Sequence, residues 1–85
     1  MNVMIDYIKK TADKMNKPFS ENLLNEPLMS LNVGYTAIEA LIFIKTIADS
    51  LSIDYIDLLD SLAGNEITYS SINMCAMQKI GSIRN

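Results

Sequence analysis

The chain has 85 residues, 49% hydrophobic and 20% charged, with a formal net charge of −3, one cysteine and no histidine. That length allows one small domain near the lower limit for a self-sufficient core, and the apolar content excludes a disordered chain. The acidic balance argues against a nucleic-acid partner, and the missing histidine removes Ser-His-Asp, Cys-His and the usual zinc sites.

The pattern predicts an all-α protein, a small four-helix bundle with a long apolar first loop. Residues 1–81 are expected to form the single domain, with 82–85 a flexible tail. The first helix is expected from Val3 to Met15. Ile5, Ile8, Ala12 and Met15 recur at spacings of three and four on one face, with Asp6, Lys9, Lys10, Asp13 and Lys14 on the other. Pro18 bars continuation.

The connection from Asn16 to Gly34 carries Phe19, Leu23, Leu24, Leu28, Leu31 and Val33. A loop of that length inside a small domain needs a packing role, so these side chains are expected to pin it across the bundle. Ser20–Asn25 is expected to form a short helical turn with Ser20 as cap.

Thr36 followed by Glu39 is a capping-box pattern, which starts the second helix. Ten of the fifteen residues from Ala37 to Leu51 are apolar. At about 100° per residue, Ala37, Ala40, Leu41, Ile44, Ile47, Ala48 and Leu51 form one broad stripe. Ile38, Ile42 and Phe43 fall outside it. Either the helix is central and these residues are core, or Ile38 and Ile42 form an exposed docking ridge.

The third helix begins at the cap Asp54, with Tyr55, Leu58, Leu59 and Leu62 along one side up to Gly64. Asp54, Asp57 and Asp60 recur on the opposite side as a solvated acidic face. A helix cannot wrap them around an ion as a calcium loop does. The last helix, capped by Thr68 or Ser70, carries Tyr69, Ile72, Cys75, Ala76 and Ile80 and is expected to end at Gly81, with Met74 and Met77 as adaptable apolar surface.

No apolar run approaches the ~20 residues of a membrane span. The longest, Ala40–Ile44, is five residues between Glu39 and Lys45. Met1–Lys10 places charges inside its apolar stretch, unlike a signal peptide. Cys75 has no partner for an internal disulfide, so a reducing cytoplasm is expected. With no GxGxxG or Walker loop among three glycines, nucleotide binding by those routes is not expected, and with no histidine neither a catalytic site nor a metal site is expected.

Pro27-Leu28, Leu31-Asn32-Val33 and the helix start at Thr36 together resemble the approach to the second helix of acyl and peptidyl carrier proteins. Leu51-Ser52-Ile53 resembles the stretch that closes that helix, and Ile67-Thr68-Tyr69-Ser70-Ser71-Ile72 the start of the family's last helix. Low glycine and frequent lysine, asparagine and isoleucine are also similar to acyl-carrier-related proteins encoded beside bacterial peptide-maturation enzymes. The resemblance implies a bundle whose second helix is read by partner enzymes.

In that family a serine before the second helix carries phosphopantetheine. Here Gly34-Tyr35, Val33-Gly34 or Thr36 falls at that point, depending on register, so no cofactor is expected. The tripeptides Asp49-Ser50-Leu51 and Asp60-Ser61-Leu62 match the attachment sequence out of place. The preferred reading is a noncatalytic, carrier-related interaction module, with Ile38, Glu39, Ile42, Lys45 and Asp49 as its contact ridge. Its expected partner is a peptide-modifying or acyl-transfer enzyme with a basic docking patch, and self-association is open. Two alternatives stand beside it: a true carrier modified at Ser50 or Thr36, and a small acidic regulator or immunity-type protein.

Overall fold

A computed structural model describes residues 3–84, and the side chains of residues 5–81. It contains four α-helices, α1 (Val3–Lys14), α2 (Ala37–Leu51), α3 (Tyr55–Leu62) and α4 (Tyr69–Arg84), with a 3₁₀ turn at Glu21–Leu23. No strand occurs among the described residues. No helix there is long and apolar enough to cross a membrane.

The helix boundaries follow from local chemistry. Lys14 closes α1 ahead of Pro18, because Asn16 takes a left-handed conformation (φ 57°). The Lys17 amide then donates to the Ala12 carbonyl (2.9 Å) and the Asn16 amide to that of Asp13 (3.1 Å). This pair of bonds satisfies carbonyls that a helix end otherwise orphans. Ser52 repeats the device after α2, with φ 57° and the Ile53 amide donating to Ala48. Asp54 caps α3 by accepting from the Asp57 amide at 3.0 Å.

Thr68, not Ser70, caps α4. Its hydroxyl accepts from the Ser71 amide, while the Ser71 hydroxyl accepts from the Thr68 amide, both at 2.9 Å. The helix passes the expected stop at Gly81 and continues to Arg84. Glycine ends a helix where the chain turns left-handed, as at Gly64 (φ 83°), whereas Gly81 has no positive φ.

The core unites Ile8 and Ala12 of α1, Phe43, Ile44 and Ile47 of α2, Leu58 and Leu62 of α3, and Tyr69, Ile72 and Ala76 of α4. Each large buried side chain contributes about 1.5–3 kcal/mol by leaving water. The long loop joins this core through Leu28 and Val33. Its backbone is tied to the region of α4: the Leu28 amide donates to Ile67 and the Ser70 amide to Leu24, both at 2.9 Å.

Several expectations are corrected. Leu31 is fully exposed, because tight turns from Pro27 to Gly34 carry it outward at the loop apex. Ser20 precedes the 3₁₀ turn without a side-chain capping bond. Phe43 is completely buried, while Leu41 and Ala37 face outward. The buried face of α2 is thus rotated roughly 30° from the expected stripe at 100° per residue. Aromatic packing accounts for the rotation. Phe43 meets Tyr69 and Tyr35, each at 5.6 Å between ring centroids, and Tyr69 meets Phe19 at 5.0 Å. Such pairs stabilise by about 0.5–1.5 kcal/mol beyond their buried area.

Candidate functional site

The N-terminus of α2 is closed by the expected box. The Glu39 amide donates to the Thr36 hydroxyl (3.1 Å), and the Thr36 amide donates to the Glu39 carboxylate (2.9 Å). Lys17, from the loop after α1, adds an ion pair to the same carboxylate at 2.9 Å. Its ammonium also donates to the Gly34 carbonyl (3.0 Å) and stands 5.4 Å from the Tyr35 ring centroid. The Thr36 amide first, and then Lys17, hold the Glu39 carboxyl below its ordinary value.

The three registers proposed for an attachment point now have definite surroundings. Val33 is buried and Gly34 takes φ 83°, a backbone angle suited to glycine. Tyr35 is buried, its hydroxyl 3.1 Å from that of Tyr69, and burial above all pushes its ionisation far up. Its phenol faces the interior and offers no external nucleophile. The Thr36 hydroxyl is engaged in the cap. Ser61 donates to the Asp57 carbonyl at 3.1 Å, whereas Ser50 is exposed near the end of α2.

On the outward side of α2, Ile38, Ile42, Lys45 and Asp49 fall within a narrow arc opposite Ala40, Phe43 and Ile47. Ile38 is 71% exposed and Ile42 50%. These two isoleucines are therefore surface rather than core. Lys45 spans one turn to Asp49 at 2.8 Å. Both partners are exposed, so the pair contributes at most about 0.5 kcal/mol. The structure brings four of the five expected ridge residues together. Glu39 is set apart from them, because its carboxylate turns back to Thr36 and Lys17.

A shallow depression of about 280 Å³ adjoins this ridge, lined by Ile38, Leu41, Ile42, Lys45, Thr46 and Tyr55. The Lys45 ammonium lies 5.9 Å from the Tyr55 ring centroid. Leu41 is 43% exposed rather than inward, whereas half-buried Tyr55 packs against the core as expected and also lines this depression. Ile56, on α3 among the acidic residues Asp54, Asp57 and Asp60, is 58% exposed but does not line the depression.

Charge is unevenly distributed around this surface. Residues 46–78 contain Asp49, Asp54, Asp57, Asp60 and Glu66 and neither lysine nor arginine. Asp54, which caps α3, and Asp57 and Asp60 within it are exposed. Among the described residues no group of acidic, cysteine or histidine side chains is arranged to hold a metal ion. No protein-family model, curated protein or solved structure matches the chain.

Proposed function

We propose that this protein is a noncatalytic, carrier-related interaction module that docks through the outer face of α2. The observation carrying this reading is the exposure of Ile38 and Ile42 on a helix whose other face already fills the core. Ile38 and Ile42 are already partly covered, so complete burial by a partner would supply only about 1–2 kcal/mol each. Leu41 and Tyr55 widen the apolar surface beside them.

The acid-only stretch from Thr46 to Gln78 favours a partner whose contact surface carries lysine or arginine around an apolar centre. An enzyme of an acyl or peptide modification pathway with a basic docking patch fits that description. The resemblance to carrier proteins supports this choice of partner.

A photoreactive amino acid placed at Ile38 tests the proposal in the cells that make the protein. One dominant adduct is expected, with such an enzyme, and it should vanish in the Ile42→Asp variant. The variant should retain its helical content and melt within a few degrees of the parent. An adduct indifferent to Ile42→Asp, or none, overturns the docking face. Incubation with coenzyme A and a promiscuous phosphopantetheinyl transferase should leave the intact mass unchanged. A gain of one phosphopantetheine would replace this reading with a true carrier.

A further inference from the structure

A second concavity, of about 500 Å³, opens where α3 ends and α4 begins. It is lined by Asn25 of the long loop, Ser61, Asn65 and Glu66 around the α3–α4 turn, and Gln78 with neighbours on α4. Its size falls within the roughly 300–1,000 Å³ of small-ligand sites. It shares no lining residue with the α2 depression.

The walls are pinned by bonds that cross between segments. The Ser70 amide donates to Leu24, the Ser71 hydroxyl to the Glu66 carbonyl at 2.9 Å, and the Cys75 thiol to the Ser61 carbonyl at 3.6 Å. The backbone of the cleft is thus fixed, while the side chains of Asn25, Asn65, Glu66 and Gln78 are exposed and would be ordered on binding, which keeps the affinity weak.

What remains unspent on its surface defines a ligand. The Ser61 and Ser71 hydroxyls donate to the Asp57 and Glu66 carbonyls, and the Thr68 hydroxyl accepts from the Ser71 amide. The amides at the start of α4 are engaged by the Thr68–Ser71 box and by Leu24, so an anion finds little to hold it. The side chains of Asn25, Asn65 and Gln78 make no hydrogen bond to another described residue. Each carboxamide offers both donors and an acceptor, the complement of a peptide group. Glu66 adds the only charge in the lining, and exposed Met74 adds an adaptable apolar contact.

We propose that this cleft binds a short peptide segment carrying a lysine or arginine, its peptide groups read by Asn25, Asn65 and Gln78 and its cation by Glu66. The site is independent of docking through α2, and either can fail alone.

The probe is acetyl-Gly-Lys-Gly-amide, with acetyl-Gly-Glu-Gly-amide as control, titrated into the full chain labelled with nitrogen-15. The lysine peptide should shift the side-chain amide signals of Asn25, Asn65 and Gln78 saturably in the millimolar range. The glutamate peptide should bind at least about fivefold more weakly, about 1 kcal/mol by the relation of affinity to free energy. Glu66→Gln should remove that preference, and Gln78→Ala, on an exposed helical position, should weaken both peptides. Absence of saturable shifts at these three side chains, or a lysine preference that survives Glu66→Gln, overturns the proposal.

Discussion

The hydroxyls of Tyr35 and Tyr69 lie 3.1 Å apart in the protein interior, and that of Tyr69 also donates to the Pro18 carbonyl at 2.7 Å. Because the Tyr69 proton is used on Pro18, Tyr35 is the donor within the pair. One short chain of hydrogen bonds thus joins the entrance of α2, the start of α4 and the loop that follows α1. Tyr35 occupies one of the positions where the carrier resemblance would call for a nucleophile, and there it serves as a structural tie.

The two tyrosines should respond unequally to loss of the hydroxyl. Tyr69→Phe leaves both the Tyr35 hydroxyl and the Pro18 carbonyl without that partner, at about 1–3 kcal/mol for stranded buried groups. Tyr35→Phe leaves the bond from Tyr69 to Pro18 intact and should cost about 0.5–1.5 kcal/mol. Urea denaturation of the two variants measures the order. Equal losses would show that the hydroxyls act independently.

Glu39 makes stability depend on acid. Its carboxyl is held below the ordinary 4.5 by Thr36 and Lys17. A depressed carboxyl contributes stability that is fully present above the unfolded value and disappears as pH falls through the folded one. The gap in urea midpoint between the parent and Glu39→Gln should therefore be wider at pH 7 than at pH 3. A gap that does not change with pH would mean that the ionised carboxylate contributes nothing.

Leu41 and Phe43 report the rotation of α2. Phe43→Ala empties a fully buried aromatic site and should cost about 3–5 kcal/mol. Leu41→Ala, at a position 43% exposed, should cost less than about 1 kcal/mol. Thermal melts of the two variants decide the matter, and a reversed order would return α2 to the orientation suggested by its apolar stripe.

Leu28 and Leu31 make the same comparison within the loop. Leu28→Ala should lose about 2–5 kcal/mol because the side chain is buried in the core. Leu31→Ser should stay within about 0.5 kcal/mol of the parent, as expected for an exposed site. A large loss from Leu31→Ser would contradict the outward loop apex.

The extent of α2, the caps at Thr36 and Asp54, and the inward faces of α1 and α3 were legible in the chain, while Thr68 and Ser70 were equal candidates for the α4 cap. Each depends on residues a few positions apart, where helix geometry and the hydrogen bonds of a cap act locally. The candidate ridge was legible to the same extent: Ile38, Ile42, Lys45 and Asp49 share an arc of one helix whatever surrounds it. Whether that arc met solvent was decided by tertiary packing. The apolar stripe of α2 was broad enough to be buried in more than one rotation, and the rings of Tyr35, just ahead of the helix, and of Tyr69, distant in sequence, selected the one that buries Phe43. Leu31 and Gly81 follow the same logic. A leucine goes inward only if its loop turns inward, and a glycine ends a helix only if the backbone there adopts the left-handed angle. The cleft beneath Asn25, Asn65 and Gln78 had no sequence signature, because its walls come from three separated segments. Composition and periodicity established helices and their apolar content; contacts between distant segments chose which apolar residues remained outside.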